Sequence, residues 1–313
     1  GDSGNVDGFG GHANKETSTG NIFRGCRAWN NGDDGFDLIN CYASYIIEYC
    51  WSFRNGYKPH SIESSGGNGA GFKSGGYGMG DIKKVPNPIP QHTVRYCLAY
   101  YNRQQGFYSN HHLGGLIFEN NTAYKNPSNY NMLNRKSSNE AVDVPGYGHI
   151  IKNNLSLSPR NSGGFPQHLI NVDNTLSEIK NNSFAPNDLN LSESDFESLN
   201  EQELMGSRKS DGSLPDINFL RLTNHANFRF SGMGCFINEE AVDYSWIQEP
   251  AIVLENGVAR IVGEDSKSFN KFYVNGEEVS IENGIVDLTS MSGELNLKAI
   301  SENGAVTTLI INK

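Results

Sequence analysis

The sequence lacks three features that define common classes of protein. It has no run of 18 or more apolar residues, so it predicts no helix that could span a bilayer. It has no basic run longer than two residues and a formal net charge of −10, which argues against a nucleic-acid partner because a phosphate backbone attracts clustered positive charge. Its five cysteines include no Cys-x-x-Cys pair, and their odd number does not indicate a disulfide framework. We therefore expect buried thiols.

The sequence also lacks a composition typical of helical proteins, and it lacks an initiator methionine and a signal sequence. Glycine accounts for 35 and asparagine for 39 of the 313 residues, and both favour turns, which argues against an all-helical bundle. The chain opens Gly-Asp-Ser-Gly without a methionine or a signal sequence, and its first residues already resemble part of a repeat. We therefore expect a fragment of a longer polypeptide, with any export signal in the missing N-terminal part.

What the sequence does contain is a repeat of about 24 residues. Each copy is a ten-residue segment with cysteine or asparagine at its fifth position. The fifth positions are Cys26, Cys50, Cys97, Asn121 and Asn154, with a degenerate sixth copy at Asn182. Their spacings of 24, 47, 24, 33 and 28 fit one unit if the interval of 47 holds two units and the longer intervals carry loops. A period of this size indicates a solenoid.

Each repeat reads as one coil of a right-handed parallel β-helix. Short apolar strands alternate with small or asparagine-containing turns, and no helical 3.6-residue pattern occurs. Identical positions then stack about 4.8 Å apart, the spacing of neighbouring strands. The cysteines become an internal thiol ladder, and the asparagines an amide ladder that hydrogen-bonds along the axis. We predict that this β-helix domain covers residues 1–234.

The pattern changes from about Cys235 to that of antiparallel hairpins. Asn-Gly dipeptides at 256, 275, 283 and 303 separate alternating apolar and polar runs, and this dipeptide favours tight hairpin turns. The fold class is therefore all-β, with a small antiparallel β-sandwich at 235–313 after the β-helix. This second domain offers no cluster of titratable groups, so we expect an accessory or capping module, with carbohydrate binding as an alternative.

A second repeat, Gly-Phe, lies inside the predicted coils. It occurs at Phe9, Phe36, Phe72 and Phe107, and aromatic rings at one position of successive coils are expected to stack in the interior. The position after each phenylalanine then points outward. The resulting surface row consists of Gly10, Asp37, Lys73 and Tyr108.

The first two Gly-Phe copies bring four acidic residues onto adjacent coils. These residues are Asp7, Asp33, Asp34 and Asp37. Carboxylates that lie this close repel one another, and either protonation or a hard cation relieves the repulsion. Calcium accepts six to eight oxygen ligands in flexible geometry, whereas the absence of neighbouring cysteine or histidine disfavours zinc. The alternative is that these aspartates only shape turns.

Lys73 lies in a glycine-rich stretch one coil beyond Asp37. Beside a divalent ion and under a sugar, its pKa would fall towards neutrality, and the amine would become a usable general base. A cation that binds a uronate carboxylate makes the adjacent carbon more acidic, and a nearby amine can then remove that carbon's proton. The combination suits β-elimination across the C4–O bond of a uronic acid. The alternative for Lys73 is a solvated surface residue.

At these residues the sequence resembles polysaccharide lyase family nine, the parallel β-helix pectin lyases. The strings that carry the resemblance are Asp7-Gly-Phe, Cys26-Arg-Ala-Trp-Asn-Asn-Gly-Asp-Asp-Gly-Phe-Asp37, Cys50-Trp-Ser-Phe-Arg-Asn-Gly56, Gly67-Asn-Gly-Ala-Gly-Phe-Lys-Ser-Gly-Gly76 and Asn120-Asn-Thr-Ala-Tyr124. It covers roughly residues 5 to 220. It implies calcium at the four aspartates, Lys73 as the Brønsted base, cleavage of an acidic plant polysaccharide by elimination, and a secreted, periplasmic or cell-surface protein.

One departure from the family pattern bears on the substrate. Pectate-cleaving members tend to show Gly-Phe-Asp-Gln-Asn where this chain has Gly106-Phe-Tyr-Ser-Asn-His-His112. The altered string looks more like members that act on rhamnogalacturonan, and homogalacturonan is the alternative. Tyr108, Asn110, His111 and His112 would then face a less charged ligand, with Tyr108 able to stack on a sugar ring. The alternative for the two histidines is a hydrogen-bonded loop. Arg135 could pair with a second uronate carboxylate, and the alternative is a solvent-facing arginine.

Two other functions fit the same residues. A β-helix hydrolase would use Asp33, Asp34 or Asp37 as acid and base. A non-catalytic polysaccharide-binding or adhesive solenoid would use calcium only to stiffen its coils, and Lys73 would then be replaceable. An unsaturated uronate product excludes both.

Overall fold

A computed structural model describes residues 4–78, 85–160, 167–185, 189–236, 250–255, 257–263, 266–282, 284–302 and 304–313. The chain divides into two compact units. The first comprises Gly1–Leu222 with Met233–Ile237, and the second comprises Thr223–Gly232 with Asn238–Lys313. The domain boundary between residues 234 and 235 stays a prediction.

Three parallel sheets run along the first unit. Sheet 1 contains β1 (Phe9–Gly10), β4 (Phe36–Asp37), β7 (Phe72–Lys73), β10 (Phe107–Tyr108), β13 (Tyr130–Asn131) and β18 (Leu169–Ile170). Sheet 2 contains β2 (Asn21–Arg24), β5 (Tyr45–Glu48), β8 (Thr93–Arg95), β11 (Ile117–Glu119), β16 (Ile150–Lys152) and β19 (Glu178–Lys180). Sheet 3 contains β3 (Arg27–Trp29), β6 (Trp51–Phe53), β9 (Leu98–Tyr100), β12 (Thr122–Tyr124) and β17 (Leu155–Leu157). Each strand pairs in parallel with strands of neighbouring coils, which confirms the predicted β-helix.

One hairpin interrupts this regular winding, and two short turns follow its last strand, β19. An antiparallel hairpin of β14 (Asn134–Ser137) and β15 (Glu140–Val144) leaves the coil that follows β13. Short 3₁₀ turns lie at Glu193–Asp195 and Glu201–Met205. No helix in the described ranges combines the length and the apolar character that crossing a membrane requires.

The 47-residue interval between Cys50 and Cys97 is one coil, so the prediction of two units there was wrong. β5 pairs directly with β8, and β6 pairs directly with β9. The additional residues lie in the chain segments between β6 and β7 and between β7 and β8. Lengthening a surface loop costs little free energy because the closure entropy grows only slowly with loop length. The spacing of repeat positions in the sequence therefore does not determine the number of coils.

The predicted phenylalanine stack lies inside sheet 1. Ring centroids are 4.9 Å apart for Phe9 and Phe36, 4.9 Å for Phe36 and Phe72, and 5.0 Å for Phe72 and Phe107. Tyr130 continues the stack at 4.9 Å from Phe107. Apolar burial and offset ring stacking both stabilise this column.

The glycine before each phenylalanine is required by the close approach of successive coils. A Cβ atom on Gly35 would lie 2.7 Å from the carbonyl oxygen of Gly71, and one on Gly71 would lie 2.6 Å from that of Gly106. Real Cβ atoms do not approach backbone oxygens this closely. In the Gly-Phe repeat, the glycine therefore allows the backbones of successive coils to approach closely, and the phenylalanine fills the core.

Asparagine ladders run along the interior, as predicted for Asn121, Asn154 and Asn182. The Asn121 backbone N–H donates to Asn154 Oδ1 at 2.9 Å, and the Asn154 N–H donates to Asn182 Oδ1 at 2.9 Å. The Cys97 N–H joins this ladder by donating to Asn121 Oδ1 at 3.0 Å. A second ladder at the end of sheet 3 was not predicted. It consists of Asn31, Asn55, Asn102, Asn126 and Asn129.

We expect the substitution Asn102→Ala to destabilise the β-helix by about 2–4 kcal/mol. The Asn102 side chain accepts from the Asn55 N–H and amide and donates to the Ser52 carbonyl and Asn126 Oδ1. Leaving buried partners unsatisfied costs about 1–3 kcal/mol for each group. Urea unfolding measures the change, with exposed Asn174→Ala as the control. A loss below about 0.5 kcal/mol, the range of ordinary surface substitutions, would contradict a structural role for the ladder.

The second unit is a small antiparallel β-sandwich, as predicted. One sheet contains β20 (Ala251–Glu255), β21 (Val258–Val262) and β24 (Ile285–Asp287), and the other contains β23 (Glu277–Val279), β22 (Phe269–Val274), β25 (Glu294–Ser301) and β26 (Val306–Asn312). Ile252, Ala259, Phe272 and Leu297 from the two sheets share one core. A short helix α1 (Asn224–Arg229) and a 3₁₀ turn at Ser266–Ser268 also belong to this unit.

The turn chemistry of the second unit follows the Asn-Gly pattern where it is described. Asn275 and Gly276 have φ values of 52° and 89° and join β22 to β23. Two successive positive φ values are those of the tight turn that Asn-Gly favours. The asparagines predicted in the other three turns, at positions 256, 283 and 303, lie outside the described residues.

Candidate functional site

The predicted outward row lies along sheet 1. Gly10 pairs with Asp37, Asp37 with Lys73, and Lys73 with Tyr108 in the parallel register. Because the phenylalanine stack fills the interior, the alternating pleat directs this row away from it. Asp37 and Lys73 are nevertheless only 4% and 7% exposed. The middle of the row is therefore buried, in contrast to the open surface that the sequence suggested, whereas Gly10 is exposed and Tyr108 is half-buried.

Three of the four predicted aspartates converge beside Lys73. One carboxylate oxygen from each of Asp7, Asp34 and Asp37 lies within 4.8 Å of the others. Backbone amides fix each group, since the Asp34 N–H donates to Asp7 Oδ1 at 3.0 Å, the Ala70 N–H to Asp34 Oδ1 at 2.6 Å, and the Ile39 N–H to Asp37 Oδ1 at 2.7 Å.

Asp33 is buried next to this group but is not one of its three members. Its Oδ1 accepts a hydrogen bond from the Asn68 N–H at 2.5 Å. The structure thus brings Asp7, Asp34 and Asp37 together, and it holds Asp33 against the glycine-rich loop that leads to Lys73. A direct ligand role for Asp33 stays a prediction.

Burial and nearby negative charge make Asp34 and Asp7 hard to ionise. Burial raises the pKa of Asp34 to about 7, in spite of nearby Lys73, and the negative charges of Asp33 and Asp37 add to the increase. The pKa of Asp7 is also raised, first by burial and then by Asp37. A cluster in this state gains free energy from any cation that binds to it.

Lys73 supplies positive charge to the cluster. Its Nζ lies 2.9 Å from Asp37 Oδ2 and 3.1 Å from Asp34 Oδ2. Burial acts to lower the pKa of Lys73, but the two carboxylates outweigh it and raise the pKa above its usual value. The pKa of Lys73 is therefore raised in this structure, whereas a general base was expected to have a lowered pKa. The reason is that Lys73 is the cation that contacts these carboxylates, which a bound metal ion would also contact.

The donor set fits a hard divalent cation. Asp7, Asp34 and Asp37 are the one group of three or more histidine, cysteine or acidic side chains with metal-binding spacing among the described residues. All three offer oxygen, and calcium prefers carboxylate oxygen with open positions for water or substrate. A thiolate or imidazole metal would find no matching ligand there.

Tyr108, the next residue of the row, begins a chain of polar side chains. Tyr108 Oη lies 2.9 Å from His111 Nε2, and His111 Nδ1 lies 2.6 Å from Asp143 Oδ1. Arg135 is 5% exposed, and its Nη2 lies 3.8 Å from the same Asp143 oxygen. Tyr108, His111 and Arg135 are therefore close together, as a common site requires.

Asp143 was not found from the sequence. It lies in β15, where it pairs with Arg135 of β14. The antiparallel hairpin, and not the coil repeat, brings it to His111, which is 32 residues earlier. The two valines, Val142 and Val144, on either side of Asp143 were the available sign of a strand, but they did not indicate a partner.

The expectation that His112 faces a ligand needs correction, whereas a ligand role for Asn110 stays a prediction. His112 is 0% exposed, its Nδ1 accepts from the Gly76 N–H at 3.1 Å, and its Nε2 donates to the Pro90 carbonyl at 3.0 Å. Burial lowers the pKa of His112 to about 4. Asn110 is 8% exposed and donates to the Gly75 carbonyl at 2.7 Å. Both side chains hold the loop after Lys73 in place.

Comparisons with known proteins agree with this fold. The family model "Pel9A-like, right handed beta helix region" matches residues 1–183, and the model "Rhamnogalacturonan lyase-like, C-terminal" matches residues 173–308. Pectate lyase L of Dickeya chrysanthemi is 35% identical over 240 residues, which are 77% of this chain and 48% of that protein. The chain spans about half the length of the curated relatives that it matches.

Two solved structures share the architecture. A rhamnogalacturonan lyase is 53% identical with a TM-score of 0.67, over 74% of this chain and 55% of that one. Pectate lyase Pel9A is 32% identical with a TM-score of 0.56, over 74% of this chain and 54% of that one. The resemblance to polysaccharide lyase family nine is thereby confirmed. The chain belongs to the Pel9A-like family of right-handed β-helix proteins.

Proposed function

We propose that this protein is a calcium-dependent polysaccharide lyase that cleaves the uronic-acid backbone of pectin by β-elimination. The observation that carries the proposal is the convergence of Asp7, Asp34 and Asp37 with the Lys73 amine 2.9–3.1 Å from two of these carboxylates. The family includes proteins with lyase names. In the site, a cluster of carboxylates that can bind a cation lies next to a potential base.

Asp7, Asp34 and Asp37 would hold the calcium ion, and Asp33 would support them through the loop at Asn68. The bound ion would contribute a positive charge that attracts the substrate carboxylate and acidifies the adjacent C5–H bond. Lys73 would remove the C5 proton once its carboxylate partners are shared with the cation. The electron pair of the C5–H bond would form the C4–C5 double bond as the C4–O bond breaks.

Rhamnogalacturonan is the substrate that the site favours. The position after Lys73 in the row is Tyr108, whose half-buried ring can stack on a neutral sugar face. The identity of 53% to a rhamnogalacturonan lyase and the C-terminal match support the same choice. Homogalacturonan is the alternative, supported by the pectate lyase relatives. We further propose that the protein acts outside the cytoplasm, where such a polysaccharide is found.

Ultraviolet absorbance of purified protein with rhamnogalacturonan or polygalacturonate tests this proposal. With added calcium, we expect an unsaturated uronate to accumulate faster from rhamnogalacturonan. Without calcium, neither substrate should yield it. Faster cleavage of polygalacturonate would reverse the substrate assignment, and binding of either polymer without any product would favour a non-catalytic solenoid.

A further inference from the structure

Elimination needs a proton donor for the leaving oxygen, and none of the roles assigned so far provides one. The Tyr108–His111–Asp143 chain lies one coil beyond Lys73, and β7 and β10 pair Tyr108 directly with Lys73. Both side chains leave the same face of sheet 1, from strands about 4.8 Å apart. A single sugar ring placed on this face can contact the amine and the phenol.

The backbone around His111 is held in an uncommon conformation. Asn110 and His111 have φ values of 54° and 57°, and consecutive non-glycine residues with positive φ occur rarely outside well-supported turns. The Asn110 side chain donates to the Gly75 carbonyl, and the His111 N–H donates to the Leu133 carbonyl at 2.9 Å. These contacts turn the imidazole back onto Tyr108, three residues earlier.

The hairpin completes the chain of side chains and connects it to solvent. Asp143 accepts from His111, and the Arg135 guanidinium lies 3.8 Å from the same oxygen. The side chain of His111 is 28% exposed and that of Asp143 is 47% exposed. Protons can therefore reach Tyr108 from bulk water through His111 without passing the buried Lys73 amine.

We propose that Tyr108 is the general acid of the reaction and that His111 and Asp143 are positioning residues that return a proton to its phenol. The inference rests on the proposed β-elimination. With His111 protonated, Nδ1–H donates to Asp143 and Nε2–H donates to Tyr108 Oη, so the phenolic hydrogen points to the sugar. As the C4–O bond breaks, Tyr108 gives this proton to the leaving oxygen and takes the Nε2 proton. Solvent then reprotonates His111.

The acidity of Tyr108 suits this transfer. Burial and the charge of Asp143 raise the pKa of Tyr108 to about 12, while Lys73 and Arg135 act in the opposite direction. The phenol therefore holds its proton until an alkoxide forms, and it is still a stronger acid than an ordinary alcohol or water, whose pKa is about 15.7. Transfer to the leaving oxygen is favourable.

The variant Tyr108→Phe tests the proposal because it keeps the ring that could stack on a sugar and removes only the hydroxyl. We expect kcat to fall by about 10²–10⁴-fold, the usual contribution of a general acid, with KM changed less than about threefold. In heavy water, the variant should still exchange the C5 hydrogen of intact substrate for deuterium, since Lys73 is unchanged. The variant Lys73→Ala should show neither exchange nor cleavage.

His111→Gln and His111→Ala separate positioning from folding. Glutamine can still donate a hydrogen bond to Tyr108, so we expect it to recover part of the activity that alanine loses. Tyr49→Phe is the control, because Tyr49 is 48% exposed and follows β5 in sheet 2. A thermal unfolding midpoint equal to that of the parent protein verifies that each variant retains the fold.

Two results would overturn the relay while leaving the proposed function intact. The first is a Tyr108→Phe variant with unchanged kcat, or with raised KM alone, which would make Tyr108 a stacking surface only. The second is a Tyr108→Phe variant that loses both C5 hydrogen exchange and cleavage, which would give Tyr108 a role in substrate binding or in proton removal. A parent protein that yields no unsaturated product would overturn the proposed function, and the relay with it.

Discussion

Replacing Lys73 with alanine is expected to reduce the formation of unsaturated product by about 10²–10⁴-fold, the usual contribution of a positioned base. The amine of this sheet-1 residue contacts the aspartate cluster, at 2.9 Å from Asp37 and 3.1 Å from Asp34. No other lysine occupies this row in the described sheet-1 strands. Initial rates with rhamnogalacturonan and calcium measure the effect.

Lys73→Arg distinguishes a base from a structural cation. Arginine preserves the positive charge beside Asp34 and Asp37, but its guanidinium does not lose a proton in proteins. We therefore expect it to be about as inactive as alanine. Lys58→Ala is the matched control, since Lys58 is exposed and pairs only with exposed Glu63 among its described ion pairs. Arginine activity within about threefold of the parent would remove proton transfer from the role of Lys73.

Removal of calcium is expected to abolish turnover, and returning calcium should restore it. Substituting Asp34 with asparagine keeps the size of the side chain but removes one of three clustered negative charges. We expect the calcium affinity of Asp34→Asn to fall by at least about 10–100-fold, the loss that even an outer-shell change commonly causes at a metal site. Calorimetric titration with calcium alone measures this without reference to activity.

The variants Lys73→Ala and Asp34→Asn are expected to differ in the same calcium titration, because only the second loses a calcium ligand. Because the Lys73 ammonium competes for Asp34 and Asp37, Lys73→Ala should bind calcium at least as tightly as the parent while it loses turnover. Asp216→Asn is the control for the aspartate variant, since the Asp216 side chain is 83% exposed. Unchanged calcium affinity in Asp34→Asn, or full activity in chelator, would exclude the cluster as the metal site.

The parts of the site that could be predicted from the sequence are those that the coil repeat brings together. Once Phe36 and Phe72 stack, Asp37 and Lys73 must lie side by side, because residues at one position of successive coils are neighbours across a parallel ladder. The same rule gave the asparagine ladder at Asn121. These contacts are local in the repeat, although they are distant in the sequence.

The parts that could not be predicted depend on loops and hairpins, whose paths the repeat does not determine. Asp143 reaches His111 through the β14–β15 hairpin, and His112 is buried with hydrogen bonds to Gly76 and Pro90. Loop length also concealed the number of coils between Cys50 and Cys97. The repeat likewise does not determine the burial of Lys73, which was predicted to be exposed and is 7% exposed against Asp34 and Asp37.

Digestion of rhamnogalacturonan in heavy-oxygen water, followed by mass spectrometry of the products, tests the central claim most directly. If Lys73 and the calcium site cleave by elimination, the two products of each cleavage together gain no water, and one new end is an unsaturated uronate. The other new end is a reducing sugar, whose anomeric oxygen exchanges with the solvent only slowly, so products are analysed at early times. Incorporation of one solvent oxygen at each cleavage, with saturated ends, would show that the protein hydrolyses the bond and would contradict the account.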